Sequence, residues 1–342
     1  MTSVLYLCDQ RDWALESIGR WLAESLEGDG IRLEILTVAE WRRAPRRADV
    51  IYAAFSTILL TSTDLRGWCD RLVTTVHDPC ELSRFDDCDD WRRLPMRPHQ
   101  LHRVDAVSAI SAELCEVLRD AYDLDAVRTP TWSPQAEWIR TRRRLRVDHE
   151  PGAIQAFSSS KLDDRLPVAW RLRRLIGWPL LLRDQRGRLD ARQLAAVLVR
   201  RSRKRVDRLH AIADAVRPDL VRCRFVVGDA ARRPWEEYAA DLLASDVYVC
   251  TSTMEGGPLP VLEAVMAGVV VLSTPVGQVS DWVEDGRSGY LCRTVDEFVT
   301  RLHAYATDRD LLAAHRARAR EIADALQPPD IRVWRRFLLG HD

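Results

Sequence analysis

Short apolar runs separated by segments of helical spacing recur along most of this chain, and they restrict what it can fold into. Residues 4–8, 49–54 and 72–77 are such runs in the first quarter, and 153–157, 223–227, 247–250 and 269–272 are further ones. After the first run, Leu15, Ile18, Trp21, Leu22 and Leu26 follow the 3.6-residue period, and Gly28 and Gly30 end the helix. Residues 31–35 then alternate as a strand does. Strands separated by helices imply a parallel sheet joined by crossovers.

The rhythm pauses between about 130 and 150, where Thr129-Pro-Thr-Trp-Ser-Pro134 is rich in breakers and residues 140–146 hold five arginines. At 342 residues the chain is long for one domain, so the boundary is placed here, giving domains at 1–147 and 148–326. The second half predicts a strand at 153–157, a helix to about 176, a strand at 179–182 and a basic helix or helix pair over 190–215. A strand at 223–227, a helix at 235–243, a strand at 247–250, a helix at 258–267 and a strand at 269–272 follow. The fold class expected is α/β: two tandem doubly wound, Rossmann-like domains facing a cleft, with ligands at the carboxyl ends of the strands. The final segment, 327–342, carries Ile331, Trp334, Phe337 and Leu338 on one helical face.

Charge and cysteine usage exclude several classes. The 51 basic and 51 acidic residues balance, so the whole protein is not a polyanion binder. Eight scattered cysteines without a Cys-x-x-Cys pair argue for reduced thiols and against a zinc site. No basic stretch precedes the apolar run at 3–8, and no window reaches the roughly 18 apolar residues of a membrane span. A cytoplasmic protein is expected, with peripheral membrane contact as an option. That option rests on residues 183–208, where ten basic residues face three acidic ones; they read either as a docking strip for an anionic surface or nucleic acid, or as a solvated helix. Asp86-Asp-Cys-Asp-Asp90 reads as a solvated acidic loop.

Chemistry concentrates in Ser245-Asp-Val-Tyr-Val-Cys-Thr-Ser-Thr-Met-Glu-Gly-Gly-Pro-Leu-Pro-Val-Leu-Glu263. An apolar strand ends in a polar loop, and two glycines lead into a helix with Pro258 at its first position. The amides of Gly256, Gly257 and Leu259 then lie at the positive end of the helix dipole, ready for a phosphate or another anion. Glu255 in the loop suits a sugar hydroxyl, and Glu263, one turn into the helix, suits the two hydroxyls of a ribose. Physics alone leaves a second reading open, in which both carboxylates are simply solvated.

The Glu255-Gly-Gly-Pro-Leu-Pro-Val-Leu-Glu263-Ala run, Gly268-Val-Val-Val-Leu-Ser-Thr-Pro-Val-Gly277 and Glu284-Asp-Gly-Arg-Ser-Gly289 together resemble the donor half of the family 4 retaining glycosyltransferases, which have the GT-B fold. The resemblance is close over about 237–292 and looser elsewhere. It implies that Glu255 contacts the donor sugar, Glu263 holds the ribose, and the amides of Gly256, Gly257 and Leu259 hold the diphosphate. His77-Asp78, ending the run at 72–77, is similar to the family's His-Asp pair at the cleft, which makes His77 a candidate catalytic residue beside Glu255. Ser111, ending a strand at 105–111, is a minor candidate. The last helix is expected to cross back onto the first domain. The resemblance further implies a retaining hexosyl- or pentosyltransferase that takes a nucleoside diphosphate sugar as co-substrate, with no bound metal and no tightly held cofactor. The acceptor is not named by it, since a saccharide, a lipid-linked group, a natural product or a polymer all fit.

The chain departs from that pattern in three places. The loop after the first strand, Asp9-Gln-Arg-Asp-Trp13, lacks the family's glycines, and Thr-Pro-Thr-Trp-Ser-Pro replaces its asparagine-glycine turn between domains. The basic pair that neutralises the leaving diphosphate is assigned to Lys161 and Arg165, with Arg183 to Arg186 as the alternative. These departures keep a second function open: a GT-B-fold protein with weakened or no catalysis that docks to nucleic acid or an anionic surface through its basic helix.

Overall fold

The computed structural model describes residues 1–9, 11, 14–61, 64–82, 96, 98–143, 152–160, 203–231 and 233–340. Two all-parallel sheets organise them. The first contains β1 (Thr2–Cys8), β2 (Ile31–Thr37), β3 (Ala48–Ala53), β4 (Cys69–Val76), β5 (Ala106–Ala109) and β6 (Val127–Arg128), in the order β2-β1-β3-β4-β5-β6. The second contains β7 (Ile154–Ser160), β8 (Val221–Val227), β9 (Val247–Cys250), β10 (Val270–Ser273) and β11 (Gly289–Leu291), in the order β11-β10-β9-β7-β8. In each sheet the chain first adds a strand on one side and then returns to the other, so the order reverses between β1 and β3 and between β7 and β9. Such reversals open a crevice at the carboxyl ends of the strands.

Helices fill the crossovers. The first half carries α1 (Ala14–Ser25), α2 (Val38–Arg43), α3 (Ile58–Thr61), α4 (Pro98–Leu101) and α5 (Ala112–Tyr122), and α6 (Pro134–Arg142) leads into the second. There α7 (Val206–Ala215), α8 (Trp235–Leu243), α9 (Leu259–Met266), α10 (Val279–Trp282), α11 (Val295–Thr307), α12 (Arg309–Ala325) and α13 (Ile331–Leu339) follow. Every residue of β9 and β10 is buried, as expected for strands covered by helices on both faces. α9 buries Val261, Leu262, Ala264, Val265 and Met266 and packs against α6 and α12.

The terminal helix packs on the first sheet. On α13, Trp334, Phe337 and Leu338 are buried, and the rings of Trp334 and Phe337 meet Tyr52 of β3 at 6.1 and 5.6 Å. Trp334 also meets Trp21 of α1 at 6.2 Å, and Arg71 of β4 donates to the Phe337 carbonyl at 3.2 Å. The expected elements at 235–243 and 247–250 coincide with α8 and β9. The helix expected to 176, the strand at 179–182 and most of the basic helix fall at 161–202, outside the described residues. Pro258 is the cap residue before α9 rather than its first member, and Pro260 stands in its first turn. Among the described residues no helix is long and apolar enough to cross a membrane.

Candidate functional site

The loop after β9 is fixed from several sides. Its Thr251 hydroxyl donates to the carbonyls of Lys204 and Arg205 at 3.1 Å, and the Thr253 amide donates to the Arg203 carbonyl at 2.7 Å. The Thr274 hydroxyl donates to the Ser252 carbonyl, and the Gln278 amide to the Gly256 carbonyl at 2.8 Å. Residues 203–205, just ahead of α7, are thereby docked against the loop that carries Glu255.

Gly256 is the tightest point. A Cβ there would stand 1.6 Å from the carbonyl oxygen of His77, so only glycine lets the end of β4 in the first half meet this loop in the second. Gly277, at φ +51°, closes the other side, where a Cβ would lie 2.0 Å from the Gly256 carbonyl oxygen. The halves are also joined by Arg128 and Asp281 at 2.7 Å and by the Thr131 amide donating to the Gln278 side chain at 3.3 Å. Among the described residues, the amides of Gly256, Gly257 and Leu259 have no hydrogen-bond partner.

Two ion pairs lie at this junction, one of them crossing it. Lys204 pairs with Glu255, and Arg203 reaches across to Asp78, the residue after His77. Both carboxylates are buried. Burial alone would push the Glu255 carboxyl up, but Lys204 first and Arg203 second carry it below the usual carboxylate range. Glu255 is therefore an anion at neutral pH, held against two cations. The cavity beside these groups, lined by Ser158, Ser160, Lys204, Thr251 and Pro258, has a volume of about 30 Å³. Small-molecule sites occupy roughly 300–1,000 Å³, so this cavity, lined by the second half alone, does not by itself hold a nucleotide sugar.

Glu263 is buried as well, which overturns its reading as a solvated helix residue. Its carboxylate accepts from the Tyr238 hydroxyl of α8 at 2.7 Å. Burial, and then the Glu263 charge, push that hydroxyl well above its ordinary pKa, so it stays a neutral donor. Tyr238 sits among aromatic rings, 5.2 Å from Trp235 and 5.8 Å from Phe157.

Of the residues expected from sequence, Glu255, Gly256, Gly257, Leu259 and Glu263 share one loop and helix start, and His77 meets them through its backbone while its ring stacks on Phe55 at 6.1 Å. Lys161 and Arg165 lie outside the described residues, as do the alternative Arg183 to Arg186, the acidic loop at 86–90 and Trp13. The cations found at Glu255 and Asp78 are Arg203 and Lys204, which the sequence reading left inside the basic segment. Arg203, Lys204 and Arg205 do not form a solvated strip: they pair with Asp78, Glu255 and Asp207. The signal available was three consecutive cations, Arg203, Lys204 and Arg205, directly ahead of the apolar spacing Val206, Leu209, Ile212. Ser111 caps α5 by accepting from the Leu114 amide at 3.2 Å. Trp132 is buried, and Trp68 precedes β4 at the end away from the cleft.

A family model described as "Glycosyl transferases group 1" matches residues 222–323, the stretch from β8 into α12. No protein of curated function matches the sequence. Among solved structures, the chain superposes on Anabaena HepE in complex with UDP-glucose with a TM-score of 0.57 at 17% identity, over 98% of each chain. It superposes on sucrose-phosphate synthase from Thermosynechococcus elongatus with a TM-score of 0.63 at 14% identity, over 95% of each. A glycosyltransferase from Rickettsia africae ESF-5 gives 0.53 at 12%, over 98% and 96%. The likeness establishes the fold: two Rossmann-like α/β units in the GT-B arrangement.

Proposed function

We propose that this protein transfers a glycosyl group from a nucleoside diphosphate sugar to a hydroxyl acceptor, with retention at the anomeric carbon. One observation carries the reading. Unpartnered loop amides, two cations and two buried carboxylates converge where β9 ends and the first half closes over it. A diphosphate needs that combination of oriented N–H groups and fixed positive charge. A sugar and a ribose need hydrogen-bond acceptors on either side of it. Glu255 then receives a donor-sugar hydroxyl, Glu263 the ribose, and the amides of Gly256, Gly257 and Leu259 the phosphates, with Lys204 and Arg203 supplying charge. HepE, bound to UDP-glucose, shares the fold and supports this class of donor.

In the transfer, the bond from the anomeric carbon to the β-phosphate oxygen breaks as the acceptor oxygen bonds to the same face of that carbon. The acceptor's proton passes to the departing phosphate oxygen. The charge that develops there is met by Lys204, Arg203 and the loop amides, so the protein works by positioning and charge stabilisation. His77 lies at the junction to face the sugar. Closure of the two halves over the donor would exclude water during the transfer.

A thermal-shift screen against uridine, guanosine, adenosine and thymidine diphosphate sugars tests the reading. One nucleotide should raise the melting temperature, and that shift should disappear in Lys204→Ala. No shift with any donor, together with no transfer in an acceptor mixture, would overturn it.

A further inference from the structure

The proposed transfer uses His77, and the adjacent Asp78 pairs with Arg203, yet neither is held in place by its own strand alone. Beneath them lies Glu81, with no exposed surface. One of its oxygens accepts from the His77 amide at 2.5 Å and the Asp78 amide at 2.8 Å. The other accepts from the Ser56 amide at 3.0 Å and from the Ser56 hydroxyl. Ser56 directly follows Phe55, whose ring stacks on the His77 imidazole at 21°. One carboxylate thus ties the loop after β3 to the end of β4.

The two residues it fastens are the ones that cross to the other half. The His77 carbonyl meets Gly256, and Asp78 pairs with Arg203. A buried carboxylate is costly unless several donors converge on it, and here four do. A short turn in which the Glu81 amide bonds the Asp78 carbonyl at 2.9 Å would form without that side chain. The carboxylate is instead spent on cleft-facing amides.

We infer that Glu81 is a positioning residue for transfer: it sets the ring of His77 and the backbone of His77 and Asp78 against the Gly256 loop. This rests on the functional reading above. Glutamine at this position keeps the shape but turns an amide N–H₂ toward N–H donors, so two of the four bonds are lost.

Glu81→Gln should lower kcat about tenfold or more, with the donor KM changed by less than about threefold, because the ribose, phosphate and Lys204 contacts all lie in the other half. Ser56→Ala, which removes one of the four bonds, should lower kcat by a smaller factor with KM again unmoved. It carries the test should the glutamine variant not fold. Leu302→Ala, on α11 in a core that contains none of residues 76–82, controls for lost stability and should keep wild-type kcat at the assay temperature. Wild-type turnover matched by both site variants overturns the inference, as does a fall in kcat equalled by the Leu302 control. A wild type that turns over no donor overturns the functional reading instead. Amide hydrogen exchange then decides the positioning without any assay: the His77 and Asp78 amides should exchange faster in Glu81→Gln, or in Ser56→Ala if that variant alone folds, and unchanged protection overturns it.

Discussion

The loops after β1 and after β9 each leave a strand that borders the strand-order reversal of its own sheet, and they are built in opposite ways. After β9 the loop brings together glycines, amides with no partner among the described residues, and buried carboxylates paired with cations. After β1, Arg11 is held by its neighbours. Arg11 donates to Glu16 at 3.0 Å, to Glu40 at 2.8 Å and to the Ile35 carbonyl at 3.2 Å. The Thr37 amide first, and Arg11 next, hold the Glu40 carboxyl down at about 2. A loop that must receive a constant chemical group keeps a recognisable pattern, whereas a loop stitched to its own neighbours has no such constraint.

Stability should separate the two halves most strongly. Trp334→Ala removes a side chain that is 1% exposed and joins α13 to Tyr52 and Trp21. It should cost about 3–5 kcal/mol in denaturant unfolding, and amide exchange should rise in β3 and β4 before β9 and β10. Equal loss of protection in both sheets would dissolve the distinction.

Chemistry comes next. Glu255→Gln should lower kcat by about 100-fold or more while leaving the fold intact, as read by transfer assay and circular dichroism. The same substitution sharpens the pH behaviour. The Glu255 carboxyl is lowered from an ordinary 4.5, so its pairing with Lys204 contributes fully above about 4.5 and is lost as pH falls through the lowered value. Acid titration of the melting temperature should therefore fall less steeply below pH 4.5 in Glu255→Gln than in wild type.

Tyr238→Phe removes a single hydrogen bond to Glu263, worth about 1 kcal/mol. The donor KM should rise about fivefold with kcat nearly unchanged, and an unchanged KM would detach Tyr238 from the ribose side of the site. The smallest effect belongs to the loop after β1. Arg11 is 41% exposed, and Arg11→Ala should lower the melting temperature by no more than about 3 °C and leave the donor KM alone. A large KM effect there would show that the loop after β1 takes part in donor binding after all.

Much of the donor-side architecture was legible in sequence because it depends on neighbours in the chain. Apolar runs buried on both faces give strands, Gly-Gly-Pro gives a loop and a helix start, and the spacing from Glu255 to Glu263 is set by one stretch of backbone. The cations were not legible. Lys204 lies 51 residues from Glu255 and Arg203 lies 125 from Asp78, and an ion pair between distant segments leaves no local pattern to read. Glu81 was invisible for a related reason: its four donors come from Ser56, His77 and Asp78, and a carboxylate in a polar stretch reads as solvated until packing removes the water.

The sequence by itself determined two wound α/β halves, the terminal helix with its single apolar face, and an anion-ready loop flanked by Glu255 and Glu263. The tertiary structure decided which charges meet that loop, and that the His77 carbonyl lies against Gly256. Periodicity and turn chemistry act over a few residues. Burial and charge pairing depend on which surfaces come together, and only the folded chain brings β4, β9 and residues 203–205 to one point.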